Sequence, residues 1–446
     1  MTADRQAALA TFLADFRADA LAPATIDQAR FVIADTIAAI ACGAAEPEVQ
    51  AITGRIGGPP GPASVIGVGR TAAPAEAALL NGIAGTWLEL DEGNRFSRGH
   101  PAIHVLPAAL AHAEAHSAPG PDLIAAFVLG YEVAARIGIA AQLRPSMHPH
   151  GTWGTIGAAV AVAKLAGLDA PAIAETINVA SSLTLATSKK TMLEGGTVRN
   201  VYAGVSNRMG LLAVDLVAAG FSGERDGLAS VFGSVVSETF DGDGMIRGLG
   251  DGWQIERNYF KRHACCRYNH GTLDALDGLL ANRIVRAEEI DRVEVASYRF
   301  AAELDDRAPR NVLAAKFSVP FAVATRIVTG ESGVESFTWE RVRDARIQAL
   351  AARVSVHEDA ALTRMLPEKR PARVALRLKD GSRLEGAADF NRGDDADPYD
   401  RSELTEKFHE LTGRVWPRGQ ADAVRAAIDG LDRAPGLGAL TAAIRG

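Results

Sequence analysis

The hydrophobic period of this chain changes twice, and that limits the folds open to it. Up to about residue 285 apolar residues recur at helical spacing, beyond it they alternate, and past Asp394-Asp395-Ala396-Asp397-Pro398 the helical spacing returns. Ala29, Val32, Ile33, Ile37 and Ile40 form one stripe after Thr25-Ile26-Asp27-Gln28, which reads as a capping box, and Gly43 closes it. Pro74 opens a second helix running toward Leu88, and a third follows Pro119-Gly120-Pro121. Gly154, Ala158 and Ala161 put small residues on successive turns, which lets two helix backbones approach closely. Arg292 to Tyr298 instead alternates as a strand, and Ala372 to Leu378 leads through Asp380-Gly381 into Arg383 to Gly386 as a hairpin. The expectation is a mainly α protein: a large all-helical domain built from both chain ends, residues 1–258 and 395–446, with a smaller α+β domain, residues 259–394, inserted between them.

The 446 residues are 48% hydrophobic and 23% charged, enough for two buried cores. A net charge of −7 without a Lys/Arg block argues against a nucleic-acid partner. Met1 to Arg5 leads into a helix bearing Asp15 and Asp19 rather than an apolar signal segment, and no stretch reads as a membrane span. Three cysteines, two adjacent, make no disulfide framework. A cytoplasmic protein with no membrane partner is expected.

Against that acidic background, Lys261-Arg262-His263-Ala264-Cys265-Cys266-Arg267-Tyr268-Asn269-His270 gathers cations, thiols and imidazoles, as a site that holds a small anion and moves protons requires. Like-charged neighbours are expected to lower the Lys261 ammonium. In extended chain the two thiols face opposite ways, so only one can line a pocket. Glu89-Leu90-Asp91-Glu92 puts carboxylates at a helix end, and His100-Pro101 places an imidazole at the start of the next helix. His148-Pro149-His150 precedes a Gly-rich helix start near Thr152, whose free N–H groups suit a carboxylate. His-x-His can chelate zinc, but the sequence indicates no third ligand, so no metal is expected. His112-x-Glu114-x-His116 reads as an ordinary helix face. Arg199 can grip a carboxylate, with Tyr202 close by. Neither a Walker loop nor a Gly-x-Gly-x-x-Gly turn is present, and no cofactor is expected.

Taken in order, Trp87 to Glu92 with His100-Pro101, His148 to Leu168, Thr197 to Gly204, Lys261 to His270 and Ala314 to Ala324 resemble the MmgE/PrpD family over nearly the whole chain. The resemblance implies that the inserted α+β domain is a lid domain, that the protein is a homodimer, and that a cleft between the domains needs no cofactor. It makes His100, His148 and Lys261 the acid/base candidates, with Glu89 and Asp91 beside them and Arg199, Tyr202 and Cys266 on the substrate side. Arg199 and Tyr202 stand where the dehydratase and decarboxylase branches carry lysine and histidine, Glu89 replaces an aspartate, and Cys266 replaces the decarboxylase histidine. Those departures favour epimerisation of a small amino-linked dicarboxylate of the iminodisuccinate kind. The alternatives are a methylcitrate dehydratase-like or cis-aconitate decarboxylase-like lyase on a tricarboxylate, a zinc hydrolase at His148 and His150, and a non-catalytic dicarboxylate-binding homologue.

Overall fold

The computed structural model describes residues 3–446; Met1 and Thr2, part of the N-terminal stretch read above, lie outside the described residues. The chain is mainly helical with a small mixed sheet in its C-terminal part. Helices Pro23–Ala44, Pro74–Trp87, Pro101–His116, Gly120–Ala140, Gly154–Leu165 and Tyr202–Ala218 pack into one core. Their contact faces are built from alanine and glycine, so backbones meet almost directly. Gly130 and Gly157 face each other across one crossing, and Gly82 and Gly204 across another, where an added Cβ would strike the opposite backbone. The ladder of small residues behaves as its spacing predicts: Gly154 lies against the His104 side chain and Ala158 against Gly210.

Three expectations change. The first long helix begins at Pro23 with Ala22 as its cap, and Thr25, a turn inside, donates its hydroxyl to Glu256 at 2.6 Å instead of capping. Proline at the first turn already starts the helix, because its missing N–H is one that the end leaves unpaired. Gly120–Ala140 is long and apolar enough to cross a membrane, a property the sequence reading assigned to no segment, and 89% of its most apolar window is buried inside the fold. Gly154–Leu165 begins at Gly154, not at Thr152, and its start is turned inward onto His104.

Pro107 interrupts the hydrogen bonding of Pro101–His116, since it has no N–H for the carbonyl of Ile103. Asn207 fills the gap. Its side-chain amide donates to Ile103 O at 2.8 Å, and its carbonyl oxygen accepts from Ala108 N at 2.9 Å. This repair keeps straight the helix that presents His100 and His104.

The sheet runs Arg383–Ala388, Ala372–Leu378, Ile290–Ser297, Val354–Glu358, with the first two pairings antiparallel and the last parallel. The Asp380-Gly381 hairpin forms as expected, with Gly381 at φ +90°. Arg267–Leu280 lies on this sheet, so close that Gly386 abuts the carbonyl of Ala275. Soon after the last strand, Arg401–Thr412 returns to pack on Pro23–Ala44 near the other end of the chain.

Replacing Asn207 with alanine leaves a buried carbonyl and a buried N–H unpaired. The expected loss is about 2 kcal/mol, read as a lower urea midpoint at unchanged slope.

Candidate active site

Beyond the C-terminus of Pro74–Trp87, three consecutive carbonyls each accept a hydrogen bond from a different lysine. Lys316 donates to Leu88 O at 3.2 Å, Lys261 to Glu89 O at 2.9 Å and Lys407 to Leu90 O at 3.0 Å. A helix C-terminus carries partial negative charge and unpaired carbonyls, so three ammonium groups meet both needs. Two acidic side chains of the same turn, and Asp35 on Pro23–Ala44, pair with two of these lysines and with Arg199. Arg199 Nη1 ion-pairs with Glu89, Lys261 Nζ lies 3.3 Å from Asp91 Oδ1, and Lys407 ion-pairs with Asp35. All six groups are buried. Glu89 adopts a left-handed backbone at φ +59°, costly for a residue with a Cβ and held here from both its carbonyl and its carboxylate.

Neighbouring charges set which acids ionise. Burial raises the Asp91 carboxyl, but His100 and Lys261 outweigh it and hold the group well below the ordinary range. Burial, with Asp35 and Asp91 close by, pushes Glu92 well above it. Burial brings Lys316 down to about 8. One neutral acid thus sits behind an ionised one.

His100 caps Pro101–His116 and turns its Nδ1 onto two acceptors, Glu92 O at 2.6 Å and Asp91 Oδ2 at 3.1 Å. Nδ1 therefore carries hydrogen, and in the neutral ring the lone pair is on Nε2. His148 has the opposite polarity. Its Nδ1 accepts from the backbone N–H of His150 at 3.1 Å, so its Nε2 bears the hydrogen. His150 stands between them, its ring centroid 4.8 Å from each and 4.8 Å from that of His104. Burial, and then the Arg199 charge, hold His148 and His150 well below the usual imidazole value, and burial brings His104 down to about 4.

These groups line a cavity of about 670 Å³ bounded by His100, His148, His150, Arg199, Tyr259 and Cys266, among others. Seven cationic side chains and three carboxylates face it, the reverse of the chain's overall charge. Two short strands, Gly93–Asn94 and Asn258–Tyr259, pair antiparallel and fasten the acidic turn to the segment carrying Lys261. Cys266 caps Arg267–Leu280 and reaches the cavity, its thiol pushed up to about 11 by burial and by Glu89; Cys265 is buried away from it.

The residues named from sequence divide into two shells. Glu89, His100, His148, Arg199 and Cys266 line the cavity. Lys261 and Asp91 stand behind Glu89 and His100, fully or almost fully buried. Arg262 and His263 do not crowd Lys261, because each is drawn to partners elsewhere: Arg262 pairs with Glu406, and His263 meets Ser332 and Asp274. Tyr202 lies beyond the cavity wall, its ring 6.3 Å from that of His148. Thr152 does not reach the cavity either and donates its hydroxyl to Pro149 O. Arg199 already holds Glu89 through Nη1, while its Nη2 makes no hydrogen bond among the described residues. The metalloprotease-like trio is a helix face, with His112 stacked on His116 and Glu114 accepting from Ser64. His104, Tyr259, Lys316 and Lys407 were not singled out, and His150 was named only as an imidazole ahead of the helix start and a possible zinc ligand with His148. His104 follows His100 by one helical turn, a spacing that does announce a shared face.

The site is thus a network of buried acids and imidazoles beside a cationic cavity in a helical fold. The chain belongs to the MmgE/PrpD family: residues 7–243 match the MmgE/PrpD N-terminal domain and residues 263–433 the MmgE/PrpD C-terminal domain. It is similar to a cis-aconitate decarboxylase of Aspergillus terreus, 26% identical over 442 residues that cover 92% of this chain and 89% of the relative. It is also similar to the cis-aconitate decarboxylase-like protein oryM of Aspergillus oryzae, 24% identical over 417 residues, 87% and 86% of the two chains.

Removing the Lys261 ammonium with Lys261→Met strands Asp91 and the Glu89 carbonyl in the interior. Stability is expected to fall by about 3 kcal/mol or more, whereas Arg262→Gln, at a partly exposed pair, changes it by less than about 1 kcal/mol; chemical denaturation compares the two.

The buried imidazoles also make stability depend on pH. In the unfolded chain they take up protons near pH 6.5, and His104 in the folded protein does so only near pH 4. Acidification from pH 7 to pH 5 therefore favours the unfolded state, by about 2 kcal/mol for His104 alone. A His104→Gln variant should lose about that much less over the same interval in urea titrations.

Proposed function

We propose that the protein is a cofactor-independent enzyme that moves a proton at a carbon adjacent to a carboxylate, and that it epimerises a small amino-linked dicarboxylate of the iminodisuccinate kind. The observation that carries this reading is the opposed polarity of two imidazoles in one cavity. His100 offers a lone pair at Nε2, and His148 offers a hydrogen at Nε2. His100 takes the α-proton, with Asp91 and Glu92 O steadying the imidazolium that results. The charge that develops on the substrate carboxylate is met by the free Nη2 of Arg199 and by His148. Delivery of a proton from the Cys266 thiol or from His148 to the other face of the carbon completes epimerisation, and the proton held on His100 then passes back to the deprotonated donor before the next turnover. That outcome needs two proton carriers and no leaving group.

A lyase reaction is the second reading, favoured by the names of the Aspergillus relatives. Decarboxylation or dehydration passes through the same kind of carbanion, so the same groups serve it.

Incubation with iminodisuccinate in deuterated water tests the first reading, since an epimerase places deuterium at the α-carbon and interconverts the stereoisomers. Product formation from cis-aconitate or 2-methylcitrate, without exchange on iminodisuccinate, would transfer the protein to the lyases. His100→Asn is expected to lower turnover at least about a hundredfold in whichever assay is positive, with the urea midpoint little changed. Wild-type rates in that variant would remove His100 from the reaction.

A further inference from the structure

Three guanidiniums at one end of the cavity have no acidic partner. Arg98 donates to the carbonyl of Ala141, Arg370 donates to the carbonyl of Arg95 and lies over the Tyr268 ring, and Arg299 rests on the ring of Phe300. Among the described residues, no carboxylate stands within ion-pair distance of any of them. Elsewhere in the same cavity, Lys189, Arg199 and Arg267 are each matched, by Glu303, Glu89 and Asp394. The three unmatched cations also repel one another: burial first, and then the Arg370 and Arg299 charges, lower the Arg98 guanidinium. Gathering like charges without a counterion costs free energy unless an anion arrives to share them.

A second hollow gives this cluster a shape. All three arginines also line a second cavity of about 380 Å³, which shares Ile139, Tyr268 and Phe300 with the first and is walled besides by Phe96, Leu366 and Pro367. Tyr298 lies in its wall, with a buried hydroxyl that has no hydrogen-bond partner. Arg98 and Arg299 retain exposure, and Arg370 lies buried beneath them.

We infer that Arg98, Arg299 and Arg370 form a second anion subsite, which receives the carboxylate at the far end of the substrate from the reacting carbon. The inference rests on the proposed reaction only in naming which end reacts. It assigns the substrate class as a di- or tricarboxylate whose aliphatic spacer lies along Ile139 and Phe300, and it selects against monocarboxylates.

Glutarate, citrate and butyrate serve as probes in calorimetric titrations of the wild-type protein and of an R98Q/R299Q variant. These two positions are chosen because they are accessible, and circular dichroism verifies the fold. Glutarate and citrate should bind the wild type at least about tenfold more tightly than butyrate, and the variant should lose at least about tenfold for the longer acids and less than about threefold for butyrate. Equal losses for glutarate and butyrate, no preference in the wild type, or no binding of any probe would each overturn the subsite. Deuterium exchange on the same samples separates the two claims. Selective loss of glutarate binding without any exchange in the wild type keeps the subsite and removes the proposed reaction, whereas exchange without selective loss does the opposite.

Discussion

Everything at this site hangs on the three carbonyls of Leu88, Glu89 and Leu90. A helix end that stops inside a protein leaves carbonyls which water cannot reach, and this turn adds carboxylates to the problem. Lysines from three separate stretches answer it, each neutralising charge while pairing an oxygen. The left-handed Glu89 backbone is a product of that clamp, and it places the carboxylate against Arg199 while Asp91 lies against His100. The acid turn is thus both the strained element and the reference point from which the imidazoles take their orientation.

Alternation of polarity runs through the cluster. Asp91 is ionised and Glu92 is not; His100 exposes a lone pair and His148 a hydrogen; His104 spends its Nδ1 on the His100 carbonyl and accepts from Gly151 N through Nε2. No single pair would fix these assignments, but each ring has one nitrogen committed by backbone, which leaves one state for the other. Backbone partners matter because they do not titrate. Burial adds to this for His104, His148 and His150, which take up protons less readily than free histidine does.

Much of the architecture was legible in the periodicity. The Asp380-Gly381 hairpin, the helix from Pro74 and the close-packed ladder from Gly154 all follow from local chemistry, because turn residues and small side chains act through their immediate neighbours. The cavity-lining set of Glu89, His100, His148, Arg199 and Cys266 was also found, since each lies in a run with unusual local chemistry. What failed needed distance information. Thr25 resembles a cap until Glu256 is known to lie beside it, and nothing near Lys261 in sequence shows that Asp91 and the Glu89 carbonyl meet its ammonium. Lys316 and Lys407 sit in helices whose local pattern gives no hint that their ammonium groups end at one turn more than three hundred residues from Lys407. Arg370 is likewise an ordinary basic residue before a proline until the sheet carries it under Tyr268.

The wide separation of the three clamping lysines has a consequence for how the molecule comes together. During synthesis the acidic turn emerges early, and it can find Lys261 and Lys316 only after most of the later chain has appeared. Lys407 follows later still, on a helix that must dock against Pro23–Ala44 before it reaches Leu90. Until that closure the carboxylates of Asp35, Glu89 and Asp91 are better kept in water than buried, so the nascent centre stays open and hydrated. Full burial of the acidic turn therefore requires the C-terminal helix to be in place, so the two ends of the chain complete the site together.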